Sequence, residues 1–453
     1  MSPVEQRATF SLAILFMTRM LGLFMILPVF SIYGMELAEA TPLLVGVAIG
    51  AYGLTQALLQ VPFGLCSDRF GRKPVIVVGL LIFLLGSVIA ALSESIYGVI
   101  LGRAMQGAGA IASAVMALLA DLTRDDNRTK AMAMVGASIG VSFALALIIG
   151  PLVAGYSGLS GLFWLTALLA GLGIAITLFV VPTPVTSQWH RENRPVIGQF
   201  SEVMQNRELL RLDFGVFLLH LTLTASFVAM PLLLAEGHDF PNSEHWKLYL
   251  PVMLVAFICM VPLMIVAEAK RRIREVFLVA ILLLGCGLLM LYLWQDTLWH
   301  LALGLFVYFW AFNLLEAMLP SLVSKIAPPG SKGTSMGVYS ASQFMGAFVG
   351  GSAGGYLLGA DGEGAVFLLC AALAVFWLWI AFGMGQPKFL QSYRVDLSTI
   401  DGQDPKFLVE RFLTVYGVEE AVVILEERAA YLKVDRKRLD QDQLGKITSL
   451  VTG

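Results

Sequence analysis

Apolar runs of about 18 to 27 residues, the length a helix needs to cross the hydrocarbon core of a bilayer, recur along most of the chain. They predict twelve helices, over 10–34, 42–66, 75–93, 96–122, 131–157, 162–181, 212–235, 248–267, 276–294, 298–324, 334–360 and 364–385. Barrel strands are excluded, because they are only about ten residues long and alternate in polarity. The segments between runs are short except for 182–211, which opens Pro182-Thr183-Pro184 and carries an amphipathic patch at 197–210. It separates a six-helix half at 1–181 from another at 212–385. From 386 the pattern changes: the last 68 residues hold ten Lys/Arg and eleven Asp/Glu and cannot span a membrane. Strand patterns at 391–397, 418–427 and 430–436 and helix patterns at 405–416, between Asp404 and Gly417 as caps, and at 440–450 give the order βαββα. That order predicts a small α+β ferredoxin-like domain over 386–453.

Composition agrees with the pattern. Hydrophobic residues make up 58% and charged residues 14%, with a mean hydropathy of +0.79, against about half apolar and a quarter charged in a soluble globule. The fold class expected is an all-α polytopic membrane protein with a small α+β domain attached. A net charge of −2 gives no basis for nucleic-acid binding. The four cysteines lie in or beside apolar runs without C-x-x-C spacing, as packing residues do. Arg7 precedes a run too long for a signal peptide, so the first helix is expected to be retained.

Basic residues orient the chain. Arg7, Arg69, Arg72, Lys73, Arg124, Arg128, Lys130, Arg191, Arg194, Lys270–Arg272 and Lys325 all fall in alternate segments, whereas the opposite set holds only Lys247. By the positive-inside rule both termini are cytoplasmic, and the protein is expected in the cytoplasmic (inner) membrane. The halves also match at an offset of 200 residues: Pro62 with Pro262, Asp68 with Glu268, Arg72 with Arg272, Gly150 with Gly350 and Gly155 with Gly355. Matched charged loops on the same register as matched glycines argue for duplicated six-helix halves.

The segment Gly64-Leu65-Cys66-Ser67-Asp68-Arg69-Phe70-Gly71-Arg72-Lys73-Pro74 packs an acid, three bases and two glycines between two apolar runs. A topology signal needs the bases but neither the acid nor the glycines. Gly64, Asp68, Arg69, Gly71, Arg72 and Lys73 resemble motif A of the major facilitator superfamily, G-x-x-x-D-R-x-G-R-[RK]. Arg103-Ala104-Met105-Gln106-Gly107-Ala108-Gly109-Ala110 resembles its motif B, and Gly150-Pro151 with Gly155 its motif C, a helix-packing motif of proton-coupled exporters; Ala137, Ala146 and Ala154 stand where glycines are usual. The resemblance covers about 385 residues. It implies that Asp68 faces the start of the eleventh helix and latches the cytoplasmic side shut, with Arg72 reaching Asp121. Glu268 and Arg272 would form a weaker pseudo-symmetric latch. The tail resembles a heavy-metal-associated fold, but its first loop, 398–404, contains no cysteine, which removes thiolate metal binding.

Ionisable residues inside a membrane mark pathways more often than packing. Arg19, Arg103, His220 and Glu316 stand in the first, fourth, seventh and tenth helices, which the resemblance places around a central cavity. Glu316 is the candidate proton carrier and Arg19 its candidate partner. Arg103 reads either as a proton-transfer group or as a brace on backbone carbonyls, and His220 as a titrating or a packing residue. No P-loop pattern and no catalytic pairing is present, so neither a nucleotide nor another cofactor is expected. The reading is a non-enzymatic secondary transporter that exchanges protons for an amphipathic or lipophilic small molecule, with the proton gradient as energy source. An uptake symporter, a uniporter, or a sensor signalling through 386–453 stays open, as does self-association or ligand binding by that tail.

Overall fold

The computed structural model describes residues 1–183, 196–328, 331–386, 391–397, 405–424, 429–434, 439–440 and 442–444. The linker stretch 184–195, the loop 398–404 with its Asp404 cap, and most of the predicted helix 440–450 lie outside the described residues.

The chain is mostly helical. In order come α1 (Pro3–Phe24), α2 (Phe30–Tyr33), α3 (Pro42–Phe70), α4 (Arg72–Leu92), α5 (Ile96–Ala108), α6 (Ala112–Asp121), α7 (Asp125–Ala175), α8 (Val196–Gln205), α9 (Arg207–Gly237), α10 (Trp246–Ala269), α11 (Ile273–Leu293), α12 (Leu298–Ile326), α13 (Lys332–Phe382) and α14 (Pro405–Leu413). Among the described residues, ten helical stretches are long and apolar enough to cross a membrane. Polar caps mark where several begin. Ser2 and Glu5 form a reciprocal capping box at α1, and the hydroxyls of Thr41 and Thr297 accept from Leu44 N and His300 N at the starts of α3 and α12. The amphipathic patch predicted at 197–210 is broken by Asn206, whose side chain accepts from Glu208 N and Leu209 N and starts α9 earlier than expected. The predicted helix over 96–122 divides at Gly109–Ile111 into α5 and α6.

The duplication seen in the sequence reappears as matched packing. A Cβ on Gly150 would lie 2.5 Å from the carbonyl oxygen of Met25, beside α1, and one on Gly350 would overlap that of Leu221 in α9. Gly155 faces Ser243 before α10, and Gly355 faces Pro42 and Gly46 at the start of α3. Both glycine pairs therefore pack on equivalent neighbours. The turn between α3 and α4 has Gly71 at φ 96°, and its counterpart 200 residues on, Arg271, has φ 53°. The second copy thus makes its turn with a residue that pays for the left-handed region where the first uses glycine.

The crossing of α3 and α13 is closed at one end only. Gly46, Gly50 and Gly53 lie directly on the backbone of Phe344, Phe348, Gly351 and Gly355, near the start of α3. Toward the other end of the same two helices, Gly333 and Gly337 have open space around them. The family resemblance implies closure at that other end, the Asp68 end. Two packings of one sequence that differ in which end is shut are separated by only a few kcal/mol, about what alternating access requires, so a residue pattern does not choose between them.

In the tail, β1 (Gln391–Asp396) and β2 (Val418–Ile424) both pair antiparallel with β3 (Ala429–Val434), in the order β1-β3-β2. Leu408 and Phe412 of α14 pack on Val395, Val418, Ala430, Leu432 and Val434, giving this segment a core of its own.

Candidate functional site

Two polar clusters lie in the middle of the helical body, one in each half. The first is built on Tyr52 of α3. Arg19 of α1 donates through Nη2 to Gln56 Oε1 at 2.7 Å and to the Tyr52 hydroxyl at 3.1 Å, and Gln56 in turn donates to Gln60 Oε1 at 3.2 Å. Arg103 of α5 lies over the Tyr52 ring, 5.2 Å from its centroid. Its three nitrogens reach Gln106 Oε1 at 2.7 Å, Ile49 O at 3.3 Å and Ala48 O at 3.4 Å, and Gln106 is fixed by Ser87 at 2.8 Å. Arg103 of α5 is thus hydrogen-bonded to two backbone carbonyls of α3.

The second cluster joins α9, α12 and α13. His220 Nε2 stands 3.7 Å from Glu316 Oε2. Gln343 Nε2 lies 2.8 Å from His220 Nε2 and 3.4 Å from Glu316 Oε1. His220 Nδ1 faces the carbonyl oxygen of Val216 at 3.2 Å; a carbonyl only accepts, so Nδ1 carries the hydrogen and Nε2 accepts from the Gln343 amide. A proton arriving on Nε2 would turn that acceptor into a donor and force Gln343 to rotate. The carboxylate, the imidazole and the amide thus form one connected cluster.

The expected pairing of Arg19 with Glu316 is not formed. Each has closer partners within its own half: Gln56 on α3 for the base, His220 on α9 for the acid. Gln343 was missed because a neutral amide in an apolar run carries no charge signal. Asp213 was missed because it sits at the edge of its run; α9 nevertheless buries it to 5% exposure, and neither carboxyl oxygen has a hydrogen-bond partner among the described residues.

The charged hairpin forms a separate cluster at one end. Arg72 pairs with Asp68, donates to Ser67 Oγ at 2.8 Å and reaches Asp121 at 3.2 Å. Gly64 faces Ser113 of α6, and Arg69 lies over Phe70. Lys73 Nζ donates to Val181 O at 2.6 Å, and Arg7 Nε to Val180 O at 3.0 Å, so both bases meet carbonyls at the end of the helical segment Ile176–Val180 that continues α7, where the helix dipole favours cations. In the second copy Arg272 is exposed at the start of α11; the side chain of Glu268 lies outside the described residues. The Arg72–Asp121 pair is partly exposed on both sides, 23% and 41%. Asp121→Asn is accordingly expected to lower stability by no more than about 1 kcal/mol, readable as a small change in the thermal midpoint of the purified protein.

Comparison with known proteins follows the same division. A family model described as Major Facilitator Superfamily matches residues 12–268 and 212–392, and one described as YajR YAM domain matches residues 394–445. The inner membrane transport protein YajR of Escherichia coli (strain K12) is 51% identical over 438 residues, 96% of this chain and 96% of that protein. The uncharacterized transporter BU466 of Buchnera aphidicola subsp. Acyrthosiphon pisum is 35% identical over 353 residues, 77% of this chain and 90% of the relative. Among solved structures, a bacterial homolog of the human lysosomal transporter Spinster, inward-facing and unoccupied, superposes with a TM-score of 0.67 at 14% identity, over 84% of this chain and 97% of that one.

Proposed function

The chain belongs to the major facilitator superfamily, a family of multi-pass membrane transporters and not of enzymes, and from that premise we propose that it exports an amphipathic or lipophilic small molecule across the inner membrane in exchange for protons, by alternating access. The observation that carries the proposal is the Glu316–His220–Gln343 unit: an acid and an imidazole 3.7 Å apart in the middle of a membrane body, joined by an amide that must turn when a proton moves. An inner-membrane location is supported by the name of the E. coli relative.

The membrane body makes twelve crossings in this reading. A 51-residue helix is about 76 Å long, more than twice the hydrocarbon thickness, and α7 and α13 are each interrupted by a left-handed glycine, Gly158 and Gly362, near their middles. With the basic segments inside, both termini, α8 and the tail face the cytoplasm. The tail is a ferredoxin-like module: β1 and β2 run parallel with β3 between them, as in a split β-α-β unit. The closed α3–α13 crossing then seals the periplasmic end, and the cavity opens inward. Asp68, paired here with Arg72, is released from the start of α13 in this state. In the opposite state it would meet the start of α13, whose N-terminal amides favour a carboxylate, while Arg72 keeps its hold on Asp121.

The test is reconstitution of the full chain in proteoliposomes loaded with a pH-sensitive dye, followed by a screen of amphipathic compounds. The expected result is substrate-evoked proton movement that stops when the protein is omitted. Transport of a compound with no proton response would remove the antiport reading.

A further inference from the structure

Arginine keeps its charge at any physiological pH, and its side chain offers five N–H donors. Arg19 is only 2% exposed. Two of its N–H groups, both on Nη2, serve Gln56 and Tyr52. The remaining three, one on Nε and two on Nη1, have no partner among the described residues. No acidic side chain among the described residues pairs with Arg19, and Glu316, the acid the sequence offered it, pairs with His220. Arg103, likewise buried and without an acid, shares Tyr52 with it: one guanidinium donates to the hydroxyl while the other lies over the ring. The N-terminal half thus holds two fixed positive charges around one tyrosine, in an environment of low dielectric. A buried cation with unused donors is stabilised by an anion far more than an exposed one is.

We propose that Arg19, aimed by Gln56 and Tyr52, is the recognition group for a carboxylate on the transported molecule, so that the cargo is an amphipathic organic anion. This rests on the transporter reading above and narrows its substrate class. The donor is preorganised, since Gln60 fixes Gln56 and the Phe83 ring lies 6.0 Å from the guanidinium carbon. The partly buried Phe344, packed edge-on to Tyr52 at 6.2 Å, is the apolar side chain nearest at hand for the body of such a molecule. A carboxylate oxygen would accept from Nη1 or Nε without displacing any bond already made. Exchange of one anion outward for one proton inward carries two positive charges inward, so the inside-negative potential assists export.

The test is binding, read independently of proton flux. The purified full-length protein is titrated with 1-naphthoate, 1-naphthamide and 1-naphthylmethylammonium, which share a ring system and differ in charge, and tryptophan fluorescence is followed. Wild type is expected to bind the carboxylate at least about tenfold more tightly than the amide or the ammonium. Arg19→Gln is expected to lose that preference, and Arg19→Lys to keep part of it, because the charge remains and the fork does not. Equal affinity for the three probes in wild type, or an unchanged preference in Arg19→Gln, would overturn the proposal; if Arg19→Gln does not fold, the wild-type comparison decides alone. Selective carboxylate binding without proton movement would uphold the site and remove the coupling. Proton movement evoked by the ammonium and unaffected by Arg19→Gln would do the reverse.

Discussion

Alanine at Gly46 or Gly351 is expected to drive the protein out of the conformation described here and to abolish transport. A Cβ on Gly46 would overlap the carbonyl oxygen of Gly351 and stand 2.9 Å from Gly355 Cα; one on Gly351 would stand 2.5 Å from Gly46 O. Both obstacles are backbone. A side chain can rotate away from an added methyl, but a helix has to move as a whole, and α3 and α13 would have to part. Overpacking of this kind costs about 1–3 kcal/mol per site, which is comparable with the gap between the two conformations of an alternating-access protein. The substitution therefore shifts the population toward the state open at the Pro42 end. Spin labels on cysteines at Leu43 and Leu358, in a background without the native cysteines, should report a longer distance in Gly46→Ala than in the parent. Gly140→Ala is the control, since nothing lies within 4 Å of its added carbon, and it should leave both distance and transport unchanged. An unaltered distance distribution together with normal transport in Gly46→Ala would sink the idea.

The same crossing shows what the sequence could and could not reveal. Apolar length gave the helices, and the offset of 200 residues gave the duplication, because both are one-dimensional properties. The match of Gly150 with Gly350 has the packing meaning the repeat suggested, each glycine lying on the corresponding helix of its own half. Membership of the family was legible in the charged hairpin, because a topology signal accounts for its bases but for neither its acid nor its glycines. The pairings of the central ionisable residues were not legible. Charges announce themselves in an apolar run, but Gln56, Tyr52 and Gln343, which decide what those charges touch, are neutral and pass unnoticed. Asp213 was overlooked for a related reason: its neighbours Arg211 and Leu212 place it where a run begins, and only the packing of α9 buries it. The end at which the body is shut depends on a small difference between two packings that share every residue, so composition and spacing are blind to it.

Glu316→Gln should separate movement of substrate from movement of protons. Glutamine keeps the shape of the side chain and can still accept from Gln343, as Glu316 Oε1 does at 3.4 Å. The packing of α12 against α9 is therefore retained, while the exchangeable proton is lost. With no proton to carry inward, the return step is no longer coupled to the pH gradient. Accumulation driven by an imposed pH gradient should fall about a hundredfold or to the leak of empty liposomes, the scale on which losing a positioned proton-transfer group acts in enzymes. Exchange of labelled for unlabelled substrate at equal pH should persist. A purely structural role would lower both assays together, because a damaged helix contact slows every step of the cycle. The split is thus the diagnostic reading, and it should vanish in His220→Gln only in part, since Gln343 still contacts the acid there. Gradient-driven accumulation by Glu316→Gln at the wild-type rate would exclude this carboxylate as the proton carrier and leave Asp213, the buried acid of α9, as the group to test next.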